Sequence, residues 1–412
     1  MSSRRAIVTA PPGATALGPA ETAGIRRTAT PDASIPVGLP PRERLAALDV
    51  FRGLTVAGML LVNNPGSWGA IYAPLGHAPW HGWTPTDLVF PFFLFIVGIT
   101  TWLSLESRRA RGIPDRELVV QILKRGGLII LLGLLVAAFP FTLDRIIGIR
   151  IPGVLQRIGV AYVAAALIAL RTTLRQQIVI AAVILLGYWA AMTLIPVPGY
   201  GAGVLDKPEA TLAAYVDRLL LDGHLWAQSK TWDPEGPLST LPAIVTAMLG
   251  IFAGRWIGSS RPLLERVAGL FAFGAFAAAI GSAWGWFFPI NKNIWTSSYV
   301  VLTAGLACLV LAACLWLIDA RRITWWTRPF QIFGTNPLFA FVASGIFART
   351  IYTLVTVPYG SETVSLQTAI YRSAYASWLP PKPASLAFAL TVVAFFFVLH
   401  WVLYKKRIVL KV

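Results

Sequence analysis

Ten long apolar runs follow one another along this sequence, and they leave few choices of fold. Each is roughly 20 residues long, the length that an α-helix needs to cross the hydrocarbon core of a bilayer. Hydrophobic residues make up 56% of the chain and charged residues only 13%, about half the charged share of a soluble protein. The sequence therefore predicts an all-α polytopic membrane protein with about ten transmembrane helices. The runs lie at approximately residues 45–63, 86–106, 121–140, 153–170, 176–196, 239–258, 264–288, 296–318, 333–357 and 383–404.

Basic residues are distributed unevenly between the two sides of the predicted bundle. The chain carries 35 Lys and Arg against 18 Asp and Glu, a net charge of +17. If the N-terminus is cytoplasmic, 24 of the basic residues fall in cytoplasmic segments and 8 in segments on the opposite side. Because cytoplasmic loops carry an excess of Lys and Arg, we expect both termini in the cytoplasm. The membrane topology thus accounts for the excess of Lys and Arg, and nucleic acid is not expected as a partner.

The segments outside the predicted helices divide the chain further. Residues 1–40 are rich in Pro, Ala, Thr and Gly without an apolar run, which predicts a disordered tail. Residues 41–408 form the predicted bundle, and its longest loop, about 197–238, is interpreted as an outward-facing flap. Cys308 and Cys314 lie six positions apart in one predicted helix, about 9 Å along its axis and too far for a disulfide. We therefore expect neither a cysteine-based site nor a bound metal.

The loop between the first two predicted spans holds an unusual set of polar and aromatic residues. Imidazole is the usual general base of enzymes, and a neighbouring carboxylate often fixes its tautomer. Asp87 could serve either histidine of the loop in this way. The alternative is a histidine that is only hydrogen-bonded within its loop, with the tryptophans forming an interfacial aromatic belt. The residues concerned are Asn63, His77, Trp80, His81 and Asp87.

Three further polar clusters begin predicted spans on the same side as His77. The fourth span begins near Arg157, the sixth near Glu235, and the eighth near Lys292 and Asn293. Ionisable and amide groups that converge on one side of a membrane indicate a single outward-facing site.

On the predicted cytoplasmic side, ionisable residues open the first span. Asp49 and Arg52 are spaced i, i+3 on one helical face and can pair. They are either a self-neutralising pair that holds the helix end, or Arg52 offers its charge to an anionic ligand. Asn336 opens the ninth span within the segment 334–337, although a Pro in the first turn is also typical of an ordinary helix start.

Taken in order, these segments resemble the signature of the heparan-α-glucosaminide N-acetyltransferase family. The similarity extends over about residues 42–405, and we expect the chain to belong to the bacterial, NagX-like branch, which lacks the large luminal domain of the lysosomal enzyme. The matching runs are Leu48-Asp49-Val50-Phe51-Arg52-Gly53, Val62-Asn63, His77-Ala78-Pro79-Trp80-His81-Gly82-Trp83-Thr84, Asp87-Leu88-Val89-Phe90-Pro91, Asp233-Pro234-Glu235-Gly236, Asn291-Lys292-Asn293-Ile294-Trp295 and Gly334-Thr335-Asn336-Pro337.

The resemblance implies a transmembrane acetyltransferase that moves an acetyl group from cytosolic acetyl-CoA to the amine of glucosamine or a terminal amino sugar on the far side. It implies that His77 is the active-site histidine and Asn63 a functionally important residue, with Asp87 orienting His77. Two sets of binding residues complete the expectation. Those for the acceptor are Trp80, Arg157, Glu235, Lys292 and Asn293, and those for acetyl-CoA are Asp49, Arg52 and Asn336.

The chain departs from the family pattern at His81, where other members can carry Asn. We expect a bacterial inner-membrane protein, for which the family suggests a homodimer, acting on free glucosamine, an amino-sugar oligomer or a wall polymer. An O-acetyltransferase of a surface glycan and an amino-sugar permease are the alternatives. A non-catalytic membrane scaffold does not account for a polar set that is gathered on one side.

Overall fold

The computed structural model describes residues 45–410, so the predicted tail at 1–40 lies outside the described residues. Within this part, ten helical segments are long and apolar enough to cross a membrane. They coincide with the ten predicted runs, and their ends differ by a few residues; the all-α membrane fold is therefore confirmed. The segments are Ala46–Asn63, Pro85–Ala110, Asp115–Ala138, Val154–Arg171, Leu174–Leu194, Pro237–Ile257, Leu263–Trp284, Ser297–Ala320, Pro337–Leu354 and Pro381–Lys405.

The α-helices are numbered along the chain, and four of them are too short to span a bilayer. Short 3₁₀ turns at Ala73–Leu75, Pro85–Leu88 and Pro208–Ala210 and a two-stranded hairpin, β1 (Thr356–Tyr359) with β2 (Glu362–Ser365), complete the described fold. The helices are α1 (Ala46–Asn63), α2 (Val89–Ala110), α3 (Asp115–Ala138), α4 (Leu143–Ile147), α5 (Val154–Arg171), α6 (Leu174–Leu194), α7 (Leu212–Leu221), α8 (Pro237–Ile257), α9 (Leu263–Trp284), α10 (Ser297–Cys314), α11 (Arg328–Thr335), α12 (Pro337–Arg349), α13 (Leu366–Ala374) and α14 (Pro381–Lys405). π-helical turns at Leu315–Ala320 and Thr350–Leu354 extend α10 and α12 to the length of a span.

Contacts between helix ends define two sides of the bundle, called here the His77 side and the Arg52 side. On the Arg52 side, Arg52 donates to the carbonyl of Gly334 at 3.1 Å, and Asn336 donates to the carbonyl of Ile408 at 3.0 Å. The His77 side carries the α1–α2 loop, α4, the flap with α7, the segment before α10, and the hairpin with α13. Which side faces the cytoplasm stays a prediction from the charge distribution.

The centre of the bundle is held by helices whose backbones touch through glycine. A Cβ atom added to Gly98 of α2 would lie 2.0 Å from the carbonyl oxygen of Ala247 in α8. A Cβ atom on Gly250 of α8 would lie 2.1 Å from the carbonyl oxygen of Phe95. Small residues at such crossings let helices approach closely, which is the main source of packing energy between helices in lipid.

The periphery has the opposite character, because its large apolar side chains lie on the outside. Leu131 of α3 is 50% exposed, Val183 of α6 is 63% exposed and Phe276 of α9 is 70% exposed. In a membrane these side chains contact lipid tails, so they need no protein partner. The helices that position the site are therefore the buried ones, α1, α2, α5, α8 and α10.

We predict that Gly98→Leu lowers the thermal stability of the detergent-solubilised protein strongly, because the new side chain has no room between α2 and α8. Overpacking of this kind costs about 1–3 kcal/mol or more. Gly127→Leu in α3 is the matched control, since an added Cβ there meets no atom within 4 Å. Melting curves from tryptophan fluorescence measure both variants; equal midpoints would contradict the proposed packing.

Candidate active site

The α1–α2 loop ends in a short helix that fixes a buried carboxylate. Thr84 precedes the turn Pro85–Leu88, and Thr84 and Asp87 form a capping box. Asp87 Oδ2 accepts hydrogen bonds from the backbone N–H of Thr84 at 3.0 Å and of Ala78 at 3.1 Å. The Asp87 side chain is only 1% exposed. A cap residue followed by Pro is a strong local signal for such a helix start, and it sets the position of this carboxylate.

The other oxygen of Asp87 contacts His77. The Nδ1 atom of His77 lies 2.7 Å from Asp87 Oδ1. Because an ionised carboxylate can only accept, Nδ1 carries the proton, and Nε2 of the neutral ring is left with its lone pair. The His77 side chain is 43% exposed, so a substrate proton can reach it. This geometry is that of an oriented general base.

Lys292, from the segment before α10, adds a cation to this pair. Its Nζ atom lies 3.1 Å from His77 Nδ1, 3.4 Å from His77 Nε2 and 3.6 Å from Asp87 Oδ1. Burial lowers the pKa of Lys292, although Asp87 and Glu235 act in the opposite direction. Lys292 therefore loses its proton more readily than a surface lysine does.

The segment that carries Lys292 is shaped by a buried asparagine. Asn291 Oδ1 accepts from the backbone N–H of Asn293 at 2.8 Å and of Ile294 at 3.2 Å. Its Nδ2 atom faces His81 Nδ1 at 3.3 Å. The carbonyl of Ile290 also accepts from the Gly82 N–H at 2.7 Å. These bonds attach the Lys292 segment directly to the histidine loop.

The flap is attached to the same loop from the other direction. Trp80 Nε1 donates to the carbonyl of Leu205 at 2.8 Å. Asp206 Oδ1 lies 3.0 Å from His81 Nε2. The Trp80 ring also packs edge to face against Trp232, with the ring centroids 5.3 Å apart. The aromatic and polar residues of the loop therefore lie beneath a flap that is hydrogen-bonded to them.

A second charged cluster joins the start of α5 to the start of α8. Arg150 donates to both carboxylate oxygens of Asp233, at 2.8 and 2.6 Å, and also to Glu235. Burial acts to lower the pKa of the Arg150 guanidinium, but the two carboxylates outweigh it and raise that pKa. Glu235 is thus paired with Arg150, whereas Arg157 donates to Ser239, Thr240 and Gly236.

Arg157 is a buried guanidinium with one unused group. Its side chain is 2% exposed and donates to Ser239 Oγ and, at 3.3 Å each, to Thr240 Oγ1 and the carbonyl of Gly236. The guanidinium lies over the Trp295 ring, 5.0 Å from its centroid. Within residues 45–410 its Nη1 atom has no hydrogen-bond partner. A buried donor of this kind fits a carbonyl or an anionic group of a bound ligand.

An apolar cavity of about 170 Å³ lies inside the bundle. It borders the short helix that carries Asp87 and the part of α1 around Arg52, although His77, Asp87 and Lys292 do not line it. Its walls come from α1, α2 and α10. The lining residues are Phe51, Leu54, Thr55, Pro85, Leu88, Val89, Phe92 and Val310.

Comparison with known proteins places this arrangement in a family. Residues 44–266 match the family model described as the catalytic part of heparan-alpha-glucosaminide N-acetyltransferase. This chain belongs to that family. It is 32% identical to heparan-alpha-glucosaminide N-acetyltransferase of Homo sapiens over 365 residues, and 32% identical to that of Mus musculus over 358. The alignments cover 75% and 73% of this chain and 53% of each relative, so the chain spans about half their length.

The side chains of two residues expected from the family resemblance, Asn63 and Asn293, make no hydrogen bond to His77, Asp87 or Lys292 in the described part of the chain. Asn63 is the last residue of α1 and is exposed, and its side chain makes no hydrogen bond to residues 45–410. Its neighbour Asn64 is buried and donates to the carbonyl of Leu60 at 2.8 Å. The structure gives Asn293 a position beside Lys292, where its backbone supports the turn of Asn291.

The residues expected to bind acetyl-CoA lie on the Arg52 side. Arg52 pairs with Asp49 at 3.3 Å and also binds the carbonyl of Gly334. Asn336 is buried, and its amide binds the C-terminal segment, donating to Ile408 O at 3.0 Å and accepting from Leu410 N at 2.8 Å. These bonds give Asn336 a structural role, and a role of Asn336, Arg52 and Asp49 in binding acetyl-CoA stays a prediction.

Sequence reasoning missed the flap and loop residues that complete the site. Asp206, Arg150 and Asn291 contact the predicted residues, but Asp206 and Arg150 lie in loops that show no motif. Asn291 is part of the Asn-Lys-Asn run that the sequence shows. That its buried side chain closes a turn, however, is visible only in the structure.

Within residues 45–410, no cluster of three His, Cys, Asp or Glu side chains could hold a metal ion.

We predict that Asp217→Asn stabilises the protein more at high pH than at low pH. Asp217 lies in α7 next to Gly236, and burial raises the pKa of its carboxyl to about 7. The hydrogen bond that Asp217 accepts from the backbone N–H of Asp233 acts in the opposite direction but is outweighed. The folded state thus holds a proton between the ordinary carboxyl pKa of 3.8 and about 7, a range in which the unfolded state has lost it. Stability therefore falls as pH rises through this range.

Melting midpoints of the wild type and Asp217→Asn at pH 5 and pH 8 test this prediction. The difference in unfolding free energy between Asp217→Asn and the wild type is expected to favour the variant more at pH 8 than at pH 5, by on the order of 1–4 kcal/mol. Asp222→Asn, an exposed carboxylate at the end of the same helix, is the control with no pH-dependent gain. An equal effect of Asp217→Asn at both pH values would contradict the prediction.

Proposed function

We propose that this chain is a transmembrane acetyltransferase of the bacterial inner membrane. It transfers the acetyl group of cytosolic acetyl-CoA to the amine of glucosamine, or of a terminal amino sugar, on the periplasmic side. The observation that carries the proposal is the oriented His77–Asp87 pair with Lys292 beside it. The short helix that carries Asp87 also borders an apolar cavity. The names of the related proteins support amine acetylation as the reaction.

In the proposed reaction, His77 Nε2 takes a proton from the attacking nitrogen, and Asp87 holds the ring in the required tautomer. The nitrogen attacks the thioester carbonyl, the C–S bond breaks, and the proton on His77 passes to the sulfur. The tetrahedral intermediate carries negative charge on oxygen. Lys292 and the free Nη1 of Arg157 are the donors suited to it, and one such donor typically contributes about 10²–10³ in rate.

The cavity supports a route for the donor. Its volume of about 170 Å³ is below that of a pocket for a whole drug-sized ligand, about 300–1,000 Å³. This size suits a narrow, extended pantetheine arm and leaves the anionic nucleotide outside the bundle. We propose that the nucleotide end lies on the Arg52 side, where Arg52 provides positive charge, and that the arm carries the thioester toward His77.

The acceptor is proposed to bind between the histidine loop and the flap. Trp80 offers an aromatic surface there, and the Arg150–Asp233–Glu235 cluster offers charged groups to sugar hydroxyls. A sugar ring that stacks on an aromatic face and hydrogen-bonds to paired charges is held in orientation as well as in place.

Reconstitution into liposomes tests the reaction. With acetyl-CoA on one side and glucosamine on the other, we expect N-acetylglucosamine by mass spectrometry, and we expect His77→Ala to abolish it. His224→Gln is the matched control, because His224 lies in the flap and its side chain is hydrogen-bonded, among residues 45–410, to the carbonyl of Ile149 and not to the His77 cluster. Full turnover by His77→Ala would contradict the role of His77.

The same experiment separates the alternatives. Unmodified glucosamine that crosses the bilayer without acetyl-CoA would indicate a permease. Acetyl ester on a glycan hydroxyl, with no amide product, would indicate an O-acetyltransferase.

The orientation of the protein in the membrane requires its own measurement, because it determines on which side acetyl-CoA and the acceptor bind. We predict that a green fluorescent protein fused after Val412 fluoresces, and that alkaline phosphatase fused there is inactive, since the first folds in the cytoplasm and the second in the periplasm. The reverse pattern would place the C-terminus outside and reverse the assigned sides.

A further inference from the structure

Acetylation of an amine that enters as an ammonium ion has a proton balance that one base does not satisfy. The nitrogen begins with three N–H bonds and ends, as an amide, with one. One of the two protons released goes to the thiolate that leaves from acetyl-CoA. The other must go to a different acceptor and then to solvent. This inference rests on the proposed function, and it concerns where that second proton goes.

The structure contains a second histidine–carboxylate pair, formed by His81 and Asp206, and its tautomer can be worked out. Asn291 Oδ1 accepts from two backbone N–H groups, which fixes the orientation of the Asn291 amide. Its Nδ2 is therefore the atom that faces His81 Nδ1, and it donates to the lone pair there. The ring proton then lies on Nε2, which donates to Asp206 Oδ1 at 3.0 Å.

This pair is joined to the His77 cluster through two consecutive residues. Asn291 and Lys292 are adjacent in the chain, and they contact His81 and His77 respectively. The Asn291–His81 bond, at 3.3 Å, is long for a hydrogen bond, so a substrate N–H can replace it at low cost. The Asn291–Lys292 segment contacts both imidazoles.

The charges around the two histidines differ in sign. The Nζ atom of Lys292 lies 3.1 Å from His77, and in its ammonium form it disfavours a second cation at that position. Asp206 places a carboxylate beside His81, which attracts a cation. Among ionisable groups, Asp206 contacts His81 directly. The nearest others along the elements that contact His81 are Lys207 in the flap, Lys292 next to Asn291, and His77 and Asp87 in its own loop.

We propose that His81, held by Asp206, accepts the first proton of the acceptor ammonium, and that His77 then accepts the second. The first transfer breaks one N–H bond, forms an N–H bond at His81 Nδ1 and leaves a neutral amine. That amine attacks the thioester carbonyl, and its second proton passes through His77 to the departing sulfur. Asp206 offsets the charge that His81 gains.

The exposure of the pair provides the exit for the first proton. The His81 side chain is 28% exposed, and that of Asp206 is 91% exposed. Water on the His77 side can therefore take the proton from His81 before the next turnover. Asp87, by contrast, is buried and is not in contact with bulk water.

The test compares an acceptor amine in its protonated and neutral forms, and adds a second amine that is always neutral. Reconstituted wild type, His81→Asn and Asp206→Asn are assayed with glucosamine at about two pH units below and above the pKa of its amine, and with a weakly basic amine that is neutral at both values. Asn at position 81 retains a hydrogen-bonding side chain. Asp222→Asn, an exposed carboxylate in the same flap, is the control.

We expect His81→Asn to acetylate glucosamine about tenfold more slowly than the wild type at the lower pH, and equally fast at the higher pH. This loss is smaller than the 10²–10⁴ of a general base in the transition state, because water competes for the first proton. With the neutral amine we expect no difference at either pH. Asp206→Asn should show the same pattern with a smaller loss.

Two results would overturn the assignment of His81. Equal loss at both pH values and with both amines would show that His81 only holds the loop against the flap. An unchanged pH profile would show that the first proton leaves without it. A wild type that releases no CoA with either amine would be a failure of the proposed function itself, which removes this inference with it.

Discussion

The buried carboxylate of Asp87 is the group on which the site depends. It closes the capping box with Thr84, receives the backbone N–H of Ala78, orients His77 and lies near Lys292. Its own carbonyl accepts from Tyr299 of α10. Removing a charge from such a network leaves several buried donors without a partner, which is costly in a low-dielectric interior. Loop shape, base orientation and helix packing are therefore not independent properties in this protein.

The site is assembled from both halves of the chain by contacts at helix starts. α5 and α8 begin at the Arg157 and Arg150 clusters, and α10 begins just after Lys292. Charged side chains at these positions are partnered within the protein instead of facing lipid, which lowers their cost in a membrane. The glycine contacts between α2 and α8 hold the frame beneath them. A rigid frame with a hydrogen-bonded flap above it positions the polar groups and leaves access from one side.

The ten spans were predictable because length and hydropathy are local properties of a sequence. The proximity of His77 and Asp87 was also within reach, since a capping signal lies between them and they are ten positions apart. Asp206 was not, because it meets His81 across 125 positions and no periodic pattern specifies how a flap folds. Asn336 was only partly predictable. The Asn-Pro pair that begins a helix is visible in the sequence, but the hydrogen bonds of Asn336 to Ile408 and Leu410 are not.

The bonds between Asn336 and residues 408–410 also bear on how the protein is made. A ribosome synthesises α12 before residues 408–410, so the two ends of this contact become available at different times. The hydrogen bonds at the junction between α11 and α12 stay incomplete until α14 and the residues that follow it have been synthesised. The Arg52 side of the bundle is therefore completed later than α11 and α12 themselves.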